Sequence, residues 1–346
     1  MNRIFALLLL SAACFSAKAQ DTVKVGNQPN NDAETNYNNG ISQMGNKNFS
    51  DAIASFTKAI DLKPDFENAY YSRGTAKYEM KDLGGAILDF SKTIDLNPSN
   101  DKARFSRGQA YYAQGQKDLA LDDYNKAISL NANYAQAYYY RGGIKFERQD
   151  YKAAILDFNK CIELKPDYTY AYNDRGSTRR QLQDLDGAID DYKKAKSLDM
   201  NLDFVWNNLG SALRAKGNFK EAIDAYDQAI RIKTSFIYYN NRGSAKFDNG
   251  DYKGAITDFD YAIKMKSDYA FAWNNKAGAK IKMKDYKGAI EDCNKALQYN
   301  SNYADAYLNR GIAKEMLRDN SCCDDWKKAS QLGLAPGKQY SIENCK

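Results

Sequence analysis

Residues 203–233 read DFVWNNLGSALRAKGNFKEAIDAYDQAIRIK. Trp206, Leu209, Gly210 and Leu213 stand at helical spacing, which predicts a first helix over 203–216. Gly217 and Asn218 interrupt it, because both tolerate turn backbone. A second helix is predicted from Phe219 to Ile232, with Ala222, Ile223, Tyr226, Ala229 and Ile230 on one stripe. Gly210 and the alanines allow two helix backbones to approach closely. Tyr226 fills the gap beside them.

The same anchors recur along the chain: a glycine, an alanine twelve residues on, an aromatic four after that, and a small residue three further. They stand at Gly40, Ala52, Phe56, Ala59; Gly74, Ala86, Phe90, Thr93; Gly108, Ala120, Tyr124, Ala127; and Gly142, Ala154, Phe158, Cys161. Gly176, Ala188, Tyr192, Ala195; Gly210, Ala222, Tyr226, Ala229; and Gly243, Ala255, Phe259, Ala262 continue the series. Ala277, Ala289, Cys293, Ala296 form the eighth copy; the ninth runs from Gly311 to Trp326 and Ala329. A period near 34 residues means stacked hairpins that share an interior. Pro64, Pro98 and Pro166 close three copies where helical growth must stop. No stretch alternates with period two, so no sheet is expected.

Trp206, Leu209-Gly210, Leu213, Ala222, Tyr226 and Ala229 resemble the signature of tetratricopeptide repeats. The resemblance covers residues 33–332. It implies an all-α, right-handed α-solenoid of about nine helix-turn-helix repeats, with the first helices lining a concave groove. It also implies a protein or peptide partner, which is fold-level analogy.

The ends fall outside the repeat. Arg3, the apolar run Ile4–Leu10 and Ala17-Lys18-Ala19 read as a signal peptide over 1–19, of bacterial export type and too short to span a membrane. Lipidation at Cys14 is the competing reading; Ser11 stands where lipoprotein signals usually carry leucine, which favours cleavage. Residues 20–32 read as a flexible leader and 333–346 as a C-terminal cap. Loss of Arg3 and Lys18 lowers the net charge from +6 to +4, too mild to call for nucleic acid. The expected location is periplasmic or secreted.

Five cysteines remain after cleavage. Cys161 and Cys293 occupy core slots four repeats apart and are expected to be buried thiols. Cys322 and Cys323 open the last second helix, and Gly337–Cys345 could form a short closing helix. An antiparallel return would bring Cys345 to Cys322 or to Cys323, and a disulfide there would pin the cap.

A charge pattern travels with the repeat. Arg73, Arg107, Arg141, Arg175, Arg242, Lys276 and Arg310 precede the anchor residue in seven copies. Asp89, Asp123, Asp157, Asp191, Asp258, Asp292 and Asp325 precede the second-helix slot in the same seven. Copies one and six carry Asn39 with Ser55, and Leu209 with Ala225. Joint presence and joint absence predict a salt bridge within each repeat, because a buried charge without its partner is costly. The alternative is a basic stripe for an anionic glycan or other envelope polymer.

The family geometry suggests a groove lined by Tyr37, Tyr71, Phe105, Tyr139, Asn173, Asn207, Asn240 and Asn274, three residues before the anchor. Seven further on stand Tyr78, Tyr112, Phe146, Arg180 and Arg214. Aromatic rings and arginine suit binding hot spots; packing of the rings between repeats is the competing role. A second column, Asn208, Asn241, Asn275 and Asn309, resembles the asparagine ladder of O-linked N-acetylglucosamine transferase repeats, where amides hold a peptide main chain. The chaperone-tail carboxylate clamp, which needs asparagine after the anchor, is not matched.

The chain has no histidine, which removes His-based triads and the commonest metal ligand. No phosphate-binding glycine loop or nucleophile elbow is present. The chain is therefore expected to be a non-enzymatic binding scaffold of the bacterial envelope, without metal or cofactor; a structural subunit of an envelope assembly is the further alternative.

Overall fold

The structure, a computed structural model, describes residues 31–345. The expected signal peptide, Cys14 and nearly all of the expected leader lie outside those residues. The described residues form 19 helices and no strand. They pair as α1 (Asn31–Gly45) with α2 (Phe49–Leu62), α3 (Glu67–Glu79) with α4 (Leu83–Leu96), α5 (Asp101–Ala113) with α6 (Lys117–Leu130), and α7 (Ala135–Glu147) with α8 (Tyr151–Leu164). Next come α9 (Thr169–Gln181), α10 (Leu185–Leu198), α11 (Asp203–Lys216) with α12 (Phe219–Ile232), and α13 (Phe236–Asp248) with α14 (Tyr252–Met265). The chain ends with α15 (Ala270–Lys282), α16 (Tyr286–Tyr299), α17 (Ala304–Met316), α18 (Cys322–Gln331) and α19 (Ala335–Asn344). The helices group into two compact units that divide between Thr178 and Arg179. In each unit, consecutive hairpins stack side by side.

The hairpin turns share one device. Each contains a residue of positive φ, supplied by Gly115, Gly217 and Gly250 in three repeats. Lys47, Lys81, Gln149, Gln183, Lys284 and Arg318 adopt the same conformation in the other six. In five hairpins the second helix then starts on a side-chain cap: Asp82, Asp150, Asp184, Asp251 and Asp285 accept from the amide three residues on.

Glycine is required at the anchor by close approach. A Cβ on Gly74 would lie 2.9 Å from the Phe90 ring, and one on Gly210 would lie 2.9 Å from Tyr226. Phe56, Phe90, Tyr124, Phe158, Tyr192, Tyr226, Phe259 and Trp326 are all essentially inaccessible, so the slot aromatics form the interior of the stack. Cys161 and Cys293 are buried as well, and burial pushes each thiol up to about 12.

At the C-terminus α19 folds back on α18. Tyr340 lies 5.1 Å from Trp326, ring centroid to centroid. A Cβ on Gly337 would meet the Ala329 side chain at 2.7 Å and the Ser330 amide nitrogen at 2.9 Å. The disulfide joins Cys323 to Cys345, while Cys322, the other sequence candidate, points inward as a buried thiol. Adjacent residues on a helix diverge by about 100°, so only one of the pair can face the returning chain.

Candidate functional site

The charge columns are built inside the repeats. Nε and Nη2 of Arg73 donate to the two carboxylate oxygens of Asp89 at 2.9 and 2.8 Å. Arg107 grips Asp123 in the same fork, Arg141 grips Asp157, and Arg242 grips Asp258. Arg310 does so with Asp325. A second cation completes most of these sites: Lys77 reaches Asp89 at 2.8 Å, Lys145 reaches Asp157 at 2.7 Å, and Lys314 reaches Asp325 at 2.8 Å. In repeat three Arg104 takes this place, 3.7 Å from Asp123. Every one of these aspartates is buried. In repeat eight Lys276 replaces the arginine and lies 3.6 Å from Asp292. Burial pushes Asp292 above the ordinary carboxylate value, while the neighbouring lysines pull it back down.

Each cation has a further acceptor that the sequence reading missed. Nη1 of Arg73 donates to Thr57, that of Arg107 to Ser91, that of Arg141 to Asn125 and that of Arg175 to Asn159. Arg242 reaches Asp227, Lys276 reaches Asp260, and Arg310 reaches Asn294. The acceptor follows the aromatic slot of the preceding repeat, so each cation also staples two repeats together. The signal was present: where repeat six substitutes Leu209, the preceding repeat offers Lys193 in place of an acceptor. Most of these cations also lie over a ring, Arg141 at 5.3 Å from Tyr138 and Lys276 at 5.4 Å from Trp273. Cations so engaged favour the structural reading of these columns, the salt bridge within each repeat.

The column three residues before the anchor is interior rather than groove-lining. Tyr37, Phe105, Tyr139, Asn173, Asn207, Asn240 and Asn274 are buried, and Tyr71 is half-buried. The reason is helical register: residues three apart share a face, so this column turns toward the second helix together with the glycine. Ring pairs record it, Tyr37 with Phe56 at 5.7 Å, Tyr71 with Phe90 at 5.6 Å and Tyr139 with Phe158 at 6.0 Å. The Tyr139 hydroxyl donates to Asp174 at 2.7 Å. Asn173 donates to the same carboxylate at 2.9 Å. Burial nevertheless raises Asp174 to about 6, those hydrogen bonds opposing it.

Tyr78, Tyr112, Phe146, Arg180 and Arg214 are half-buried. Tyr112 donates to Glu147 of the next repeat, and burial followed by that hydrogen bond raises its phenol. Arg214 pairs with Asp248 at 2.6 Å.

In the second unit the two asparagine columns form one network. Nδ2 of Asn241 donates to Asn207 at 2.9 Å, that of Asn275 to Asn240 at 3.0 Å, and that of Asn309 to Asn274 at 2.9 Å. The donors are half-buried and the acceptors buried, so one row fixes the other. Gly278 sits beside this row. A Cβ there would meet only Asn309 Nδ2, at 3.9 Å, so nothing in the packing requires glycine at that helical position. No group of three or more Cys, Asp or Glu among the described residues could hold a metal ion.

Tetratricopeptide repeat family descriptions match residues 102–134 and 204–235, 135–168 and 169–201, and 240–307; a TPR repeat description matches 74–115. No curated protein matches the chain. Among solved structures, MamA is 27% identical over 46% of this chain and 94% of its own, with a TM-score of 0.44. A tetratricopeptide repeat protein from Parabacteroides merdae is 20% identical, covering 73% of this chain and 97% of its own at a TM-score of 0.53. The Cut9–Hcn1 hetero-tetramer of the APC/C is 14% identical, covering 91% of this chain and 76% of its own at a TM-score of 0.56. The last two likenesses concern the fold alone. With the family matches spread over the repeats described above, the chain belongs to the tetratricopeptide repeat family.

Proposed function

We propose that this protein is an exported, non-enzymatic scaffold of the bacterial envelope that binds a protein or peptide on the open face of its first helices. The observation that carries the reading is the asparagine row Asn241, Asn275 and Asn309. Each amide is held from behind by a buried asparagine and uses one N–H to do so. A carbonyl oxygen and a second N–H remain, the pair needed to recognise a peptide main chain without regard to its side chains. The open space at Gly278 allows a backbone to approach that row. In the first unit, Tyr78, Tyr112 and Phe146 offer half-buried rings as apolar contacts. The signal-peptide pattern of residues 1–19 supports export, and a Cys323–Cys345 disulfide suits an oxidising compartment.

The test is capture from envelope extract, comparing the natural chain with Asn275→Ala/Asn309→Ala and with Leu156→Ala, an exposed second-helix residue. Circular dichroism serves as the folding control. Loss of the captured partner with the asparagine variant alone supports the reading. Loss with Leu156→Ala alone supports a structural subunit that uses its outer surface. The N-terminal sequence of the fractionated native protein tests export: cleavage before Gln20 is the expected result.

A further inference from the structure

The C-terminal helix α19 is a short closing element tied to the last repeat by a sulfur bond. It has ten residues, and isolated helices of that length are marginal in water. It packs on α18 through Gly337 against Ala329 and through the half-buried Tyr340 against Trp326. Ala335, Lys338 and Gln339 are exposed, as is Ile342, at 66%. Beneath α19, Trp326 is wholly inaccessible, packed between Gly311 on one side and Tyr340 on the other. Cys322 is buried in the same hairpin end.

We propose that Cys323–Cys345 is a redox-operated latch, and that its reduction releases α19 from the last repeat while the repeat itself stays folded. The reductant is a dithiol. One of its thiolates attacks a sulfur of the disulfide, forming a mixed disulfide and expelling the other cysteine as thiolate. The second reductant thiolate then displaces the protein sulfur. The sum is one protein disulfide and one dithiol converted to two protein thiols and one reductant disulfide, with two electrons and two protons moved to the protein. The bond closes a loop, of sequence separation 22, that runs through α18, the turn and α19; release is local because α18 is held independently by α17 through Gly311, Trp326 and the Arg310–Asp325 pair. Cutting a cross-link over a loop of that size raises the open population on the order of 100-fold. Opening would uncover Trp326, against which Tyr340 packs.

Hydrogen exchange of the full mature chain, with and without dithiothreitol, tests this. Protection over residues 335–344 is expected to fall on the order of 100-fold on reduction, with residues 304–331 unchanged. Iodide quenching of tryptophan fluorescence should gain a component from Trp326. The Cys323→Ser/Cys345→Ser variant should show the open behaviour without reductant. Unchanged protection of 335–344 after complete reduction would overturn the proposal. So would loss of protection throughout 304–331, which would make the bond a staple of the whole repeat, or a thiol titration showing no disulfide in the oxidised protein.

Discussion

Ala277 and Cys293 stand together in the core of repeat eight, both wholly buried, where the other repeats pack a glycine against an aromatic ring. The two departures compensate. Elsewhere a Cβ at the anchor would lie within 3 Å of the ring, as at Gly142 against Phe158. Here the ring has shrunk to a thiol and the anchor has gained its methyl.

Restoring the ring alone is therefore expected to overpack the core. Cys293→Phe should destabilise by about 1–3 kcal/mol. Adding Ala277→Gly should recover most of the loss. Urea denaturation of the two single variants and the double gives the coupling; additive effects would contradict the compensation.

The buried aspartates predict an unequal cycle. Asp157→Ala leaves Arg141 and Lys145 without their carboxylate, each of them only partly solvated. The expected cost is about 3 kcal/mol. Arg141→Leu should cost less, because Lys145 still neutralises Asp157 and Leu209 shows that leucine fits this slot. The double variant should be more stable than the sum of the singles, as measured by chemical denaturation.

Asp174 sets a pH dependence. Its folded value of about 6 lies above the ordinary 3.8, so the folded protein holds this proton more tightly than the unfolded chain. This group therefore makes stability fall as pH rises from about 3.8 to about 6, and the full cost is present above that window. Tyr112, Tyr139 and Tyr168 feel its charge, and no cation opposes its burial among the causes of the shift. Asp174→Asn should stabilise at pH 7.5, by up to roughly 3 kcal/mol. That gain should vanish near pH 4. Melting temperatures of both proteins at the two pH values decide it; a gain independent of pH would sink the assignment.

Gln149 holds φ at 64° in an exposed turn where Gly115, Gly217 and Gly250 serve elsewhere. Gln149→Gly should relieve about 1 kcal/mol of backbone cost, part of it offset by the greater entropy of the unfolded glycine. A small rise in melting temperature is expected; a fall would mean that the side chain contributes more than its conformation costs.

Residues 203–233 were enough to place the helices of repeat six, because Gly217-Asn218 and the 3.6-residue stripe are local signals. The Arg–Asp columns were equally legible, since a buried charge forces its partner to appear with it in the linear pattern. The face of Tyr37 and Tyr139 was legible in principle, yet a first-helix ring reads alike whether it lines a groove or fills a core. The choice between Cys322 and Cys323 rested on the angle at which α19 returns. The joining of Asn275 to Asn240 rested on the offset between neighbouring hairpins.

Periodicity along the chain thus determined the hairpin, its anchors and the charges that must travel together, since each is enforced by contacts within one short segment or its copy. The packing of one hairpin on the next decided which columns are sealed and which face outward. That depends on rotations and offsets between helices, and no residue type encodes these by itself.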